Sequence, residues 1–260
     1  MKKIIRNFAL CAIAITGVLV SCEKDNTVPD NSKPDVEEHG PGTGDLVEPE
    51  TGDQVEPEIN HGQVLFEDNF DWIKEWADLG DGAGDAVGTN NPSTPAYNVA
   101  TKEGCEGFRA EFEKRGYQDV DNGTNKIMYL QQYYLKFGKT SFNNGLILPA
   151  LDLAQATDLT FEFDWTPQIS GKRDKQDIFD LIVEIQGEGT FENGAKESDP
   201  INVTLSKDDS NLFVLAWQHV SLTVSGAAKD TRLIVRPMNM KPEGKFYNRY
   251  YLDNLLIKVK

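Results

Sequence analysis

Arg249-Tyr250-Tyr251-Leu252-Asp253-Asn254-Leu255-Leu256-Ile257-Lys258-Val259-Lys260 closes the sequence. The run is rich in Tyr, Leu, Ile and Val and carries neither Gly nor Pro, which is strand composition. We read it as the last strand of a β-sandwich. A strand that closes a domain pairs with strands made much earlier and so ties the two ends of the fold together. Asp253 is the odd member, because a carboxylate within an apolar strand needs a cation, a donor or water. Burying it unpaired costs several kcal/mol. Its expected counterpart is Phe66-Glu67-Asp68, in the first strand of the folded part.

Working outward from this run, short stretches of two-residue alternation fill the second half of the chain. Phe108, Ala110 and Phe112 alternate with Arg109 and Glu111, and Tyr133, Leu135 and Phe137 with Tyr134 and Lys136. Phe161, Phe163 and Trp165 alternate with Thr160, Glu162 and Asp164, while Leu181, Val183 and Ile185 flank Glu184. Val220, Leu222 and Val224 alternate with His219, Ser221 and Thr223. Each run offers one apolar and one polar face, as a half-buried antiparallel sheet requires. Between them lie turn residues, among them Gly138, Asn143-Asn144-Gly145, Asn193-Gly194, Ser225-Gly226 and Pro242-Glu243-Gly244. Phe70, Ile73, Trp76 and Ala77 fall on one face at helical spacing, so one short helix is expected within 69–79, and the Gly-, Asn- and Pro-rich stretch 80–95 reads as a long loop. No alternating βαβ pattern is present. The expected fold is all-β: a two-sheet antiparallel β-sandwich of jelly-roll type with at most one or two short helices, occupying residues 61–260.

The first 60 residues have a different character. Lys2, Lys3 and Arg6 precede an apolar run from Phe8 to Val20, the anatomy of a secretory signal peptide over residues 1–21. The run ends in Leu19-Val20-Ser21-Cys22, which resembles the bacterial lipobox. That resemblance implies diacylation of Cys22, which would become the mature N-terminus. At ~0.8 kcal/mol per buried methylene, two or three acyl chains make a stable anchor. From Glu23 to Asn60 there is no aromatic residue, and twelve acidic side chains face two basic ones. Residues 22–60 are therefore expected to be a disordered acidic tether. Within it Thr43-Gly44-Asp45-Leu46-Val47-Glu48-Pro49-Glu50 is repeated as Thr51-Gly52-Asp53-Gln54-Val55-Glu56-Pro57-Glu58 with one substitution. Such a repeat lengthens a tether, whose flexible-chain span is about 35 Å. Glu23 and Asp25 around Lys24 resemble the signal that sends Bacteroidetes lipoproteins to the outside of the outer membrane, where the protein is expected.

Of the three cysteines, Cys11 leaves with the signal and Cys22 takes lipid, so Cys105 has no partner for an intramolecular disulfide. Glu103 and Glu106 beside it disfavour its thiolate and argue against a nucleophile. Residues 61–260 carry twenty-one basic and thirty acidic side chains, a net charge of −9. Acidic domain and acidic tether alike are repelled by phosphate polymers, which removes nucleic acid from the partners.

Phe66-Glu67-Asp68 with Trp72 and Trp76, Leu135-Lys136-Phe137-Gly138, Leu148-Pro149-Ala150-Leu151, Phe161-Glu162-Phe163-Asp164-Trp165, Trp217-Gln218-His219-Val220 and Tyr250-Tyr251-Leu252-Asp253-Asn254 form an ordered series. The series resembles Bacteroidetes cell-surface lipoproteins with a jelly-roll, carbohydrate-binding-module-like (galactose-binding-like) domain, over most of residues 63–260. The resemblance implies a structural Ca2+ ion held by Glu67 and Asp253, whose oxygens suit a cation wanting six to eight such ligands. It also implies a glycan ligand, taken by an aromatic plane against a sugar face with charged or amide groups on the hydroxyls. Alternation sets outward Tyr134 and Trp217 as platforms, Arg232 and Arg236 as donors, and Glu162 and Asp164 beside them. Trp72 and Trp76 read as packing residues.

Catalysis has little material. Glu162-Phe163-Asp164 resembles the start of the Glu-x-Asp-x-x-Glu strand of laminarinase-type glycosidases, but Pro167 stands where the second glutamate belongs. Retaining hydrolysis needs that second carboxyl about 5–5.5 Å from the nucleophile. His39 and His61 lie in or beside the tether, which leaves His219 as the one histidine in the body of the domain, so a His-rich metal centre or His-based triad has almost no material. The expected function is non-catalytic glycan binding by a lipid-anchored surface protein. The alternatives are a structural or adhesive protein that binds protein, and a glycan-cleaving enzyme of jelly-roll type.

Overall fold

The computed structural model describes residues 60–77, 97–98, 106–120, 128–130 and 133–260. The signal segment, Cys22, the tether up to residue 59, Cys105 and the expected loop at 80–95 lie outside them. In chain order the strands are β1 (Val64–Asp68), β2 (Tyr97–Asn98), β3 (Gln118–Asp119), β4 (Met128–Leu130), β5 (Leu135–Phe137) and β6 (Leu146–Ile147). Then come β7 (Thr157–Pro167), β8 (Leu181–Gln186), β9 (Thr190–Phe191), β10 (Gln218–Ala227), β11 (Arg232–Pro237) and β12 (Tyr250–Val259). Helices are limited to a 3-10 turn at Asp71–Ile73 that runs into α1 (Lys74–Ala77), and α2 (Glu106–Lys114).

The strands make a two-sheet antiparallel β-sandwich. The larger sheet has the order β2-β4-β5-β12-β7-β10-β9, with β1 also on β12, and the smaller has β3-β6-β11-β8. From β5 to β8 the chain changes sheet at every connection, the crossing pattern of a jelly roll. The last strand is the hub of the larger sheet. One of its edges takes β7 along most of its length, while the other takes β5 at Tyr250–Leu252 and β1 at Leu255–Lys258. First and last strands therefore lie side by side, as the apolar content of the closing run predicts.

Alternation explains the core. Phe161, Phe163 and Trp165 of β7 and Leu181, Val183 and Ile185 of β8 point between the sheets and are buried, whereas Glu162, Asp164 and Glu184 face outward. Each such apolar side chain contributes about 1.5–3 kcal/mol on burial. Outside the larger sheet lies a second, smaller cluster of Tyr134, Ile169, Leu205, Leu215 and Tyr251, against which Phe213 and Trp217 pack. The segment between β9 and β10 covers that part of the sheet. It is tied down by the Gln176 side chain, which donates to the Val203 carbonyl and accepts from the Leu205 N–H, and by the Arg173–Asp208 ion pair at 2.6 Å.

One expected strand is a helix. Phe108, Ala110 and Phe112 belong to α2, in which Phe108 and Phe112 are buried and Ala110 is exposed. Positions i and i+4 share a helix face just as i and i+2 share a strand face, so two phenylalanines four apart satisfy both periods. The helix is favoured by Glu106 in its first turn, Lys114 in its last, and Glu111 paired with Lys114 and Arg115. Phe108 lies parallel to Trp72 at 5.5 Å, so Trp72 packs as expected.

The three connections that pass from sheet to sheet at residues 138–145, 168–180 and 238–249 gather at one pole. Phe137 and Pro167 both pair with Tyr250, and Leu181 pairs with Pro237, so these strand ends coincide. The Ser141 N–H donates to the Phe246 carbonyl at 3.0 Å and Asn143 Nδ2 to the Asn239 carbonyl at 2.9 Å, which fastens the loops to one another. The chain enters the domain at the other pole, where the Gly62 N–H donates to the Val259 carbonyl at 2.9 Å. The ten residues of β12 separate the two poles by about 30 Å.

Candidate functional site

The residues expected to form one glycan face are found in three places. Tyr134 is only 3% exposed. It sits edge-on to Trp217 at 5.3 Å and to Tyr251 at 5.6 Å in the cluster beneath the covering segment, so neither Tyr134 nor Trp217 is an open platform. Arg232 and Arg236 lie on β11 in the smaller sheet. Arg232 donates to the carbonyls of Gly116 and Leu148, and Arg236 pairs with Glu184 at 2.7 Å and Glu197 at 2.6 Å. Their donors are spent on the fold. Alternation marked these side chains as outward without saying which sheet carried them or what covered it.

Glu162 and Asp164 do face outward on the larger sheet, in a shallow groove shared with Glu67, Asn69, His219 and Asn254. Lys258 pairs with Glu162 at 2.8 Å, His219 Nδ1 lies 2.9 Å from Asp164 Oδ1, and Asn254 Nδ2 donates to Asp164 Oδ2 at 2.8 Å. Asp253 stands opposite Asp164 where a bulge interrupts β12, with Asn254 at φ 51. Its carboxylate accepts from the Asn254 N–H at 2.8 Å and is 4% exposed. Burial pushes the Asp253 carboxyl up to about 7 against that hydrogen bond, and the charges of Asp164, Asp71 and Asp68 add to the rise.

The resemblance implies Glu67 and Asp253 as a calcium pair. Glu67 is exposed on β1 opposite Leu256, and it is not among the charges acting on Asp253. Asp68, which is, accepts from the Tyr117 hydroxyl, the Trp72 indole and the Phe70 N–H, the work of a structural hub. Among the described residues no group of three or more carboxylate, histidine or cysteine side chains could hold a metal ion.

The crossover pole has the opposite character. Five large apolar side chains stand exposed among the described residues, and Phe142, Ile178, Met238 and Tyr247 all belong to the three crossovers, with Val64 the exception. Tyr247 is 40% exposed beside a depression of about 490 Å³ that Lys175, Asp177, Asn248 and Arg249 also line. Arg249 grips Asp177 with two parallel hydrogen bonds, Nε to Oδ2 at 2.7 Å and Nη2 to Oδ1 at 2.8 Å, and its backbone N–H adds a third at 3.0 Å. Asp177 in turn holds the guanidinium pKa above its usual value. The fork is fixed before any ligand arrives, and it holds the guanidinium 5.0 Å from the Tyr247 ring. A half-exposed ring with preset polar groups around it is a small-ligand arrangement. Sequence reading missed Tyr247 because it lies in a loop, where no period marks it. Its only signal was aromatic residues set between cations in Lys245-Phe246-Tyr247-Asn248-Arg249.

No family model matches the chain, and no curated protein matches it. The solved structures to which it is similar include carbohydrate-binding modules and Porphyromonas adhesin domains. One is the K1 cleaved adhesin domain of Lys-gingipain from Porphyromonas gingivalis, at 15% identity and TM-score 0.37, covering 56% of this chain and 91% of that one. Another is the CBM22-1 xylan-binding domain from Paenibacillus barcinonensis, at 14% identity and TM-score 0.34, covering 78% and 97%. A third is TmCBM61 in complex with beta-1,4-galactotriose, at 10% identity and TM-score 0.30, covering 57% and 85%. At such scores these likenesses add nothing to what the geometry carries.

Proposed function

We propose that the protein binds glycan, without cleaving it, at the crossover pole of its β-sandwich. The reading rests on Tyr247, an exposed ring flanked by a guanidinium locked to Asp177 and by Asn248, which offers the C–H face of a sugar an aromatic plane and fixed hydrogen-bonding groups. The placement suits an anchored receptor. Acylated at Cys22 and carried on an extended acidic tether at the outer surface of the outer membrane, the domain would be joined at one pole and would present its loops from the other. Binding without cleavage agrees with Glu162 and Asp164 being engaged by Lys258, His219 and Asn254, and with Pro167 in place of a second acid.

A glycan array probed with the purified protein tests this reading, with Tyr247→Ala as the control. Binding to a defined set of sugars that drops about tenfold or more in the variant, at unchanged melting temperature, is the expected result. Silence across plant, host and microbial glycans would remove sugar as the ligand. The exposure of Ile178 at 84% and Met238 at 47% favours a protein partner as the second reading. In that case Ile178→Ser, not Tyr247→Ala, would abolish binding.

A further inference from the structure

Beside the depression at Tyr247 lies a second one of about 510 Å³, lined by Ser141, Phe142, Asn143, Met240 and Lys241, and Phe246 borders both. Phe142 is 41% exposed there. Asn143 is buried, and its Oδ1 has no hydrogen-bond donor among the described residues. The pole thus offers two aromatic side chains, each beside its own depression, with Phe246 between them.

The charge of this pole is opposite to that of the domain. The three crossovers carry seven basic and four acidic side chains, whereas the rest of residues 61–260 carries fourteen basic and twenty-six acidic. Most arginines of the domain are committed: Arg109 to Asp119, Arg173 to Asp208, Arg236 to Glu184 and Glu197, Arg249 to Asp177. Lys139, Lys175, Lys241 and Lys245 at the crossover pole have no carboxylate partner among the described residues. Lys139 lies 4.6 Å from the Phe142 ring and Lys245 5.4 Å from the Tyr247 ring. The cations therefore stand over these two rings, at the edges of the two depressions.

A neutral glycan gains nothing from this. An anionic one is drawn to the pole and repelled by the remaining surface, so charge both concentrates and orients it. One exposed lysine–anion contact is worth about 0–1 kcal/mol, so several acid groups along a chain are needed before the effect counts. Resting on the glycan reading above, we propose that the ligand is an acidic polysaccharide, carboxylated or sulfated. Its sugars lie in the two depressions beside Tyr247 and Phe142, and its acid groups meet Lys139, Lys241 and Lys245.

The test is binding of the purified protein to polygalacturonate, dextran sulfate, unsubstituted dextran, neutral galactan and inorganic polyphosphate. We expect polygalacturonate or dextran sulfate to bind at least about tenfold tighter than either neutral polymer, and more weakly as salt rises. Whichever of the two binds identifies the acid group. Replacing the three lysines together (Lys139→Gln, Lys241→Gln, Lys245→Gln) should remove about tenfold or more of that affinity without lowering the melting temperature. Tight binding of a neutral polymer that is indifferent to the triple variant overturns the charge inference and leaves the glycan reading intact. Polyphosphate bound as well as the acidic glycans, with no effect of Tyr247→Ala, overturns it as charge attraction alone. No binding of any polysaccharide sinks both.

Discussion

Asp253 is the residue whose chemistry departs furthest from expectation. With its carboxyl pushed up to about 7 in the fold and about 3.9 in the unfolded chain, the native state holds a proton that the unfolded state has released between those values. Its contribution to stability is therefore fully present below pH ~4 and is lost as pH rises through ~7. Asp253→Asn keeps the shape and removes the titration. Thermal melts should show the variant more stable than the parent by on the order of 4 kcal/mol at about pH 8, by about a third of that at about pH 5, and no different below about pH 4. A parent melting temperature that falls on chelation, together with a variant that is less stable at about pH 8, would instead put a cation beside this carboxylate. That Asp253 is exceptional can be read from its apolar neighbours. The acids it meets cannot, because Asp164 reaches it through strand register and Asp68 and Asp71 through the turn after β1.

Among the elements, the crossovers determine what the pole can do, and the first of them is closely packed at Gly145. A Cβ on Gly145 would sit 2.4 Å from the Val235 carbonyl oxygen and 2.8 Å from Arg236 Cβ, a backbone clash at the mouth of β6. Gly145→Ala is expected to cost roughly 2 kcal/mol or more and to lower the melting temperature. Gly171→Ala, in the neighbouring crossover with nothing within 4 Å, should leave it unchanged. Equal effects would show that the loops yield and that close packing does not hold the pole. Turn chemistry flagged Asn143-Asn144-Gly145 as a connection, but the closeness of β11 behind it is a tertiary fact. The misread α2 has a similar cause. Its buried phenylalanines fit two periods at once, and the packing of Phe108 on Trp72, together with the charges at the helix ends, selects the longer one.

For the molecule as a whole, the crossover loops lie at the pole opposite the one where residues 60–62 enter the domain, and the anchor is an expectation to be tested. If Cys22 carries the lipid, the protein should partition with membranes and enter a detergent phase, and Cys22→Ser should release it to the aqueous fraction with glycan binding unchanged. A variant still held at the membrane would refute the anchor. The sequence by itself determined the all-β class and the strongly acidic balance, because side-chain period and charge are local properties that survive in one dimension. Only the tertiary structure decided that Tyr134 and Trp217 are covered, that Arg232 and Arg236 are committed to the smaller sheet, and that Tyr247 and its lysines share one exposed pole. Those outcomes depend on which chain segment lies over which face, and that is settled by the packing of residues distant in the chain.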